Sequence, residues 1–255
     1  MVSKPVDRSR EETQMVARQR LAAAYRIVHY LGWTETIYGH LTLRVPGTRN
    51  FLLNPWGLRY DEVTASNLVE VDIEGNPIGS TNYPVNKAGF VIHSAVHGAR
   101  DDVHCVFHIH TTEGMAVAAQ KNGLLPISIM ATGYHNRVGY HDYEGPSLDL
   151  DERKRLALSL GTHKTLILRN HGLLTAGNTV EEAFILMFRL QRACEIQIAA
   201  QAGGGPLTIP SQEVCEKSAR LTNEFLEGNE GVPSGFLEFQ SYVRLIDQLD
   251  TSYKI

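Results

Sequence analysis

Short strand-like segments that alternate with helical segments constrain the fold of this chain more than any other feature. Apolar residues between Glu11 and Leu31 keep helical spacing, and turn residues then separate three strand-like segments, which predicts a helix followed by an antiparallel meander. The predicted strands cover 40–45, 51–54, 68–72, 103–110, 165–170 and 173–176. The predicted helices after the first cover 87–99, 113–121, 149–160, 180–202 and 211–226. This order predicts an α/β domain built on a mainly antiparallel sheet with helices on its faces.

The composition narrows the class of protein further. The formal net charge of −4 and the lack of a basic run argue against nucleic-acid binding. No apolar stretch is long enough to cross a membrane, and the first residues contain no apolar core of a secretory signal. The three cysteines are far apart and odd in number, which is typical of a reducing compartment. We therefore expect a cytoplasmic protein whose partner is a small molecule, with no nucleic acid or membrane involved.

The strongest chemical signal is the pair His108 and His110 at the end of a predicted strand. Side chains alternate between the two faces of a strand, so both imidazoles point to the same side. Two histidines on one face can bind one metal ion, although a single buried histidine that bonds a backbone carbonyl gives the same sequence pattern.

His171 strengthens the metal interpretation. It lies in the Asn170-His171-Gly172 segment, which interrupts an apolar strand, and we expect the glycine to allow unusual backbone angles that aim the side chain. A third neutral ligand would leave coordination positions open for water or substrate, as in a catalytic site.

A second histidine pair competes with this set. His93 and His97 are four residues apart on a predicted helix and so share one face. The zinc-protease form of this motif needs a glutamate directly after the first histidine, and the sequence has Ser94 there. We therefore interpret the pair as core histidines, or as residues that orient a metal ligand.

Several motifs occur together in one order along the chain. They are GWTETIYGHLTLRVPG (32–47), NPWGLRYDEVTASNLVEVD (54–72), VNKAGFVIHSAVHGARDDVHCVFHIHT (85–111), GYHDYEG (139–145), ILRNHGLLTAG (167–177) and VEEAFILMFRLQRACEIQ (180–197). On these segments the sequence resembles the class II aldolase/adducin family, most closely its adducin-head-like bacterial branch. The resemblance implies a single α/β/α domain over residues 1–255, with a core at about 15–205 and a C-terminal helical extension at about 206–255.

The resemblance also implies a divalent metal ion on His108, His110 and His171. Zinc is the expected metal, and iron(II) or manganese are alternatives. In the aldolases of this family the metal polarises a substrate carbonyl and stabilises an enediolate, so that a carbon–carbon bond breaks.

The sequence departs from the aldolases at two places. The aldolases have an acid/base glutamate four residues before the histidine that matches His93, and this chain has Gly89 there. The positions that match their phosphate cradle include Tyr38 and Trp56 in this chain. We therefore expect an unphosphorylated substrate and a substitute for the glutamate.

The loop at 131–147 supplies the predicted substitutes. His141 and Tyr143 are the predicted catalytic residues, because this polar loop could close over the metal. Glu144, Glu113, and the Tyr60-Asp61 pair are weaker candidates, since acidic and tyrosine residues near turns and helix starts have local reasons to be there.

Three functions follow from these features. The first is a metal-dependent lyase acting on an unphosphorylated hydroxy- or oxo-acid or a related carbonyl compound. The second is a mononuclear non-haem iron oxygenase or decarboxylase acting on an aromatic 2-oxo or 2-hydroxy acid. The third is a non-catalytic binding module like the adducin head, which the three retained histidines disfavour. The resemblance also implies a homo-oligomer, a tetramer or a dimer.

Overall fold

A computed structural model describes residues 8–146, 149–226 and 231–255, which form one twisted sheet of seven strands flanked by helices. The strands are β1 (His40–Arg44), β2 (Phe51–Leu53), β3 (Val69–Val71), β4 (Cys105–Ile109), β5 (Gly139–His141), β6 (Thr165–Leu168) and β7 (Gly172–Gly177). The helices are α1 (Arg8–Tyr30), α2 (Lys87–Ala99), α3 (Thr112–Ala118), α4 (Ile129–Thr132), α5 (Glu152–Leu160), α6 (Val180–Ala202), α7 (Gln212–Leu226) and α8 (Phe236–Leu249).

The strand order is β3-β2-β1-β4-β7-β6-β5. All neighbouring strands are antiparallel except β5 and β6, which run parallel. The predicted mainly antiparallel α/β sheet is therefore confirmed, and so is the meander of β1, β2 and β3. β4 lies in the centre between β1 and β7, so both of its edges are hydrogen-bonded to a neighbouring strand.

Helix ends form where the sequence provides caps. Gly32 follows α1 with a φ of 73°, the left-handed geometry that a glycine after a helix adopts readily. The hydroxyl of Thr111 accepts a hydrogen bond from the Gly114 amide at the start of α3, and Thr179 does the same for Glu182 at the start of α6. These caps fix the points at which β4 and β7 lead into helices.

The two faces of the sheet pack against different helices. Phe107 of β4 and Leu173 of β7 face α1, α3, α6 and α8 in the main core. Val106 and Leu174 face the opposite way, toward α2 and α5. His108 has the same parity as Val106, so the strand alternation directs it to the α2 side of the sheet.

Two segments differ from the sequence prediction. Residues 165–176 are not one interrupted strand, because β6 and β7 form an antiparallel hairpin in which Leu168 pairs with Gly172. The segment 131–147 is not a continuous loop, since it contains the end of α4 and the strand β5. β5 has only three residues, too few for a period-two pattern to be recognised.

The C-terminal helices are part of the packed structure. Phe239, Ile246 and Tyr253 are buried in the same core cluster as the residues of α1 and α6. The division between a core and an extension near residue 205 stays a prediction, and most of the N-terminal tail predicted at 1–9 lies outside the described residues. Within the described parts of the chain, no helix is both long and apolar enough to cross a bilayer. All three cysteines are buried and carry free thiols.

Candidate metal centre

The imidazoles of His108 and His110 converge at the end of β4. Their Nε2 atoms are 2.8 Å apart. The separation is within the reach of one ion that bonds each nitrogen at about 2.1 Å. The predicted alternation therefore does bring the two rings to one side of the strand.

His171 joins them from the β6–β7 hairpin. One ligand nitrogen from each of the three histidines can be chosen so that all three lie within 4.8 Å of one another. The ring centroid of His171 is 4.9 Å from that of His108 and 4.9 Å from that of His110. The structure thus brings the three predicted ligands together, whereas their binding of a metal stays a prediction.

The backbone of the hairpin aims His171 in a way that the sequence did not indicate. The left-handed residue is Asn170, with a φ of 55°, whereas Gly172 does not adopt a left-handed φ. Gly172 is required for close approach instead, because a Cβ there would lie 2.5 Å from the carbonyl oxygen of Ile109. The absence of a side chain lets β7 lie directly beside His108 and His110.

A hydrogen bond fixes which nitrogen of His108 is free. Its Nδ1 donates to the carbonyl oxygen of Leu173 at 3.0 Å, so Nε2 keeps an unshared electron pair that faces His110. Metal-binding histidines commonly use this arrangement, in which the second ring nitrogen bonds a backbone carbonyl. The donor set fits a divalent cation.

The three histidines are neutral at pH 7. Burial lowers the pKa of His108 well below its ordinary value, and the neighbouring His110 and His171 lower it further. Burial also lowers the pKa of His110, and burial together with His110 and His141 lowers the pKa of His171 to about 4. Neutral imidazoles can donate electron pairs to a metal without cancelling its charge.

His93 and His97 do not bond the three candidate ligands. The hydroxyl group of Thr42 is hydrogen-bonded to both rings instead, to Nδ1 of His93 at 2.7 Å and to Nε2 of His97 at 2.8 Å. Both rings are fully buried between α2 and the sheet. Their burial supports the first of the two sequence interpretations, that they are core histidines.

His40 is the residue that sequence reasoning missed. It pairs with His108 across β1 and β4, and its Nε2 accepts a hydrogen bond of 2.5 Å from the side-chain amide of Asn86. Its ring fills the space above Gly89, because a Cβ at position 89 would lie 2.5 Å from His40 Cδ2. The sequence does place His40 in a predicted strand, where its side chain and that of Thr42 lie on one face and that of Leu41 on the other. The strand register that places His40 beside His108 is not visible in the sequence.

His141 is not on a loop that could close over the cluster, which corrects the sequence expectation. It ends β5, is only 5% exposed, and bonds Ser159 through Nδ1 at 3.0 Å. Its Nε2 lies 3.4 Å from a carboxylate oxygen of Glu152. Its carbonyl oxygen accepts the Arg169 amide at 2.8 Å, which ties β5 to the hairpin that holds His171.

Tyr143 lies beside the cluster and is accessible. Its side chain is 53% exposed, and its ring centroid is 6.4 Å from that of His171. The neighbouring Glu144 forms an ion pair with Arg155, with a shortest distance of 2.5 Å. Of the two predicted catalytic residues, Tyr143 is thus the one that a molecule at the cluster can contact without a rearrangement.

The weaker candidates all have other partners. Asp61 forms an ion pair of 2.9 Å with Arg59, and Glu113 accepts a hydrogen bond from Gln191 at 3.3 Å. Tyr60 is buried and packs edge-on against Tyr25. These contacts, and the ion pair of Glu144 with Arg155, favour local structural explanations for all four.

Comparison with known proteins shows to which family this chain belongs. The chain matches the family described as Class II Aldolase and Adducin N-terminal domain over residues 19–198. The chain belongs to the class II aldolase and adducin family. A Pseudomonas aeruginosa protein that carries the name of an aldolase class 2 protein is 43% identical over 237 residues, which cover 93% of this chain and 91% of that protein.

Solved structures of the family have the same fold. An aldolase II superfamily protein from Pseudomonas syringae superposes with a TM-score of 0.89 at 45% identity, covering 95% of this chain and 96% of that one. An L-fuculose 1-phosphate aldolase from Glaciozyma antarctica gives a TM-score of 0.81 at 31% identity, covering 97% and 94%. Together with the family match, these neighbours confirm the fold.

The adducin side of the family is also close in sequence. Rat alpha-adducin is 42% identical over 250 residues, which cover 94% of this chain but only 34% of alpha-adducin. The chain therefore corresponds to about a third of that protein. Similarity to both aldolases and adducins leaves catalysis and binding as alternatives that the site itself must decide.

Proposed function

We propose that this protein is a metal-dependent carbon–carbon lyase of the class II aldolase type, acting on an unphosphorylated hydroxy- or oxo-acid or a related carbonyl compound. One observation carries the proposal: three neutral imidazoles converge at one point, and those of His110 and His171 are only partly buried. A closed structural site would surround the ion with protein ligands, whereas three ligands with an accessible side leave room for a substrate.

His108, His110 and His171 are the residues that would hold the metal, with zinc expected and iron(II) or manganese as alternatives. When bound, such an ion supplies a Lewis acid that stabilises negative charge developing on a substrate oxygen. The hydrogen bond from His108 Nδ1 to Leu173 keeps the ligand nitrogen of that ring unprotonated. The left-handed Asn170 and the close approach at Gly172 hold His171 in place without a contribution from the substrate.

Tyr143 is the proposed catalytic residue for proton transfer, since its exposed hydroxyl-bearing ring lies next to His171. For His141, the buried position and the carboxylate of Glu152 favour positioning over contact with substrate. Its hydrogen bonds hold the end of β5, and thus the start of the segment that leads to Tyr143, against the hairpin of His171.

An unphosphorylated substrate is supported by the residues at the positions that match the aldolase phosphate cradle. Tyr38 and Trp56 stand there, and their rings contact each other edge-on with centroids 5.7 Å apart. Aromatic side chains have little capacity to satisfy a dianionic phosphate, whereas they pack well against a flat or uncharged group. The same feature supports the runner-up, an iron-dependent oxygenase or decarboxylase for aromatic 2-oxo or 2-hydroxy acids.

One experiment separates these functions. The purified protein is analysed for metals and assayed against a panel of 2-oxo and 2-hydroxy acids, with and without oxygen. The proposal predicts bound metal and oxygen-independent cleavage of a carbon–carbon bond. Oxygen consumption with co-purifying iron would establish the oxygenase instead, and a protein with neither metal nor turnover would be a non-catalytic module like the adducin head.

The assembly and location belong to the same proposal. We propose a cytoplasmic homo-oligomer, a tetramer or a dimer, in line with the family expectation. Size-exclusion chromatography with light scattering measures the mass directly. A monomer at micromolar concentration would remove the oligomer from the proposal and leave the single-chain histidine cluster unchanged.

A further inference from the structure

A second site of chemical interest lies at the opposite end of the sheet from the histidine cluster. A cavity of about 610 Å³ is bounded by the segment before β5, the residues before β6, and one side of α6 and α7. β5 and β6 are parallel, and the histidine cluster lies beyond their far ends. The four residues of β6 span about 13 Å, so the cavity and the cluster are separate.

Two arginines without partners line this cavity. Within the described residues, neither Arg137 nor Arg189 has a hydrogen bond or an ion pair through its side chain, although both are partly buried. Most other arginines of the described chain do have such a contact, for example Arg155 with Glu144 and Arg192 with Glu195. Two partly buried guanidinium groups on one cavity repel each other and lose hydration, and a bound anion would offset both effects.

The acidic residues of the cavity do not neutralise these arginines. Glu182 is engaged by the ammonium group of Lys164 and by the amide of Asn178. Glu216 accepts a hydrogen bond of 2.8 Å from Gln212 and lies farther than 4 Å from either guanidinium group. The cavity therefore has a net positive charge.

One further side chain of the lining has a nitrogen atom without a partner. Nε2 of His135, like Nε of Arg189, is buried and has no hydrogen-bond partner among the described residues. Buried polar groups are usually hydrogen-bonded, so these two nitrogen atoms are available to bind a ligand or water in the cavity. The loop that carries His135 and Arg137 is ordered by local hydrogen bonds, including that from the Arg137 amide to Tyr134 at 3.0 Å, so these side chains start from fixed backbone positions.

We propose that this cavity binds a small oxyanion, the phosphoryl or carboxylate group of a metabolite, through Arg137 and Arg189. Arginine suits this purpose because its planar guanidinium forms paired hydrogen bonds with both kinds of group. The volume exceeds that of the anionic group alone, so the cavity also accommodates the remainder of a small metabolite. The site is independent of the proposed lyase chemistry.

The test measures binding of inorganic phosphate and, separately, of succinate by calorimetry at constant ionic strength, with chloride as the reference salt. The variants are Arg137→Gln and Arg189→Gln. Arg192→Gln is the matched control, because it removes the same charge from the same helix outside the cavity. We expect one saturable site per chain in the wild type and the control, and binding weakened at least about tenfold in each cavity variant.

Binding of either phosphate or succinate that weakens in both arginine variants supports the site. The relative affinities for the two ligands then show whether the cavity prefers a phosphoryl or a carboxylate group. A His171→Ala variant distinguishes the cavity from the histidine cluster, where phosphate can bind a metal. Retained binding in that variant supports the cavity even if the protein proves to hold no metal. Binding that persists in both arginine variants, is lost in His171→Ala, or does not exceed that of chloride would overturn the proposal.

Discussion

The imidazole of His40 fills the space that a side chain at position 89 would occupy. A Cβ on Gly89 would lie 2.5 to 2.7 Å from three atoms of the ring, and Asn86 holds that ring in place. The resemblance to the class II aldolases places their acid/base glutamate at this position. In this chain the His40 ring can lie beside His108 because residue 89 has no side chain.

This relationship predicts that Gly89→Ala destabilises the protein by about 1–3 kcal/mol, because the added methyl group overlaps the His40 ring. Urea denaturation measures the change in the free energy of unfolding. Gly98→Ala on the same helix is the control, since its Cβ would meet only Ile73 at 3.8 Å, and it is expected to be neutral or stabilising by up to about 1 kcal/mol. Adding His40→Ala to Gly89→Ala should recover part of the loss, and strict additivity of the two changes would contradict the steric account.

A second prediction concerns Gly172. Gly172→Ala places a Cβ 2.5 Å from the carbonyl oxygen of Ile109, so β7 must move away from the residues that carry His108 and His110. We expect a loss of about 1–3 kcal/mol in unfolding free energy together with weaker metal retention. Gly205→Ala has open space around it and is the control. Wild-type stability and metal content in Gly172→Ala would show that the close approach is unimportant.

The buried histidines predict a loss of stability in acid. Burial, and secondarily Arg44, lowers the pKa of His97 to about 3, so the folded protein keeps this ring neutral while the unfolded chain protonates it near its ordinary pKa of 6.5. Between these two values the unfolded state binds more protons. Stability is therefore complete above about pH 6.5 and falls as the pH is lowered toward 3, by up to about 1.4 kcal/mol per pH unit for this one group.

The measurement is the unfolding free energy at pH 7, 6 and 5 for the wild type and for His97→Gln. The variant is expected to be less stable at pH 7, because it disturbs the hydrogen bond to Thr42, but to show a flatter pH dependence. Equal slopes in His97→Gln and the wild type would mean that His97 is not held neutral.

A fourth prediction tests the proposed proton transfer. Tyr143→Phe removes only the hydroxyl group and should lower kcat by about 10²–10⁴-fold once a substrate is in hand, with metal content and thermal stability unchanged. Tyr30→Phe, at an exposed position at the end of α1, should retain full activity. An unchanged kcat in Tyr143→Phe would exclude this residue as the proton donor or acceptor.

The sequence was most informative where local patterns decide the structure. The helix at 87–99, the cap at Thr111 and the common face of His108 and His110 follow from periodicity and capping alone. The hairpin that carries His171 has the sequence pattern of a broken strand, because a turn of three residues leaves the apolar pattern on both sides intact. β5 was missed because three residues show no periodicity, and this placed His141 on a loop.

The contacts that could not be predicted are those between distant segments. The position of His40 depends on the register of β1 against β4 and on the packing of α2 across the sheet. The shared cavity of Arg137 and Arg189 depends on how α6 lies beside the segments that precede β5 and β6. Neither relationship leaves a periodic signal along the chain, so only the folded structure shows them.

The central claim is that His108, His110 and His171 together bind one divalent metal ion, and metal content tests it most directly. Elemental analysis of the wild type, His108→Ala and His104→Ala, each purified without added metal and again after incubation with zinc, iron(II) or manganese, gives the number of ions per chain. The account predicts one divalent ion per chain in the wild type and in His104→Ala, whose altered side chain is exposed near the start of β4, and none in a folded His108→Ala. A wild type that neither contains nor takes up metal, or a His108→Ala variant that holds as much as the wild type, would contradict it.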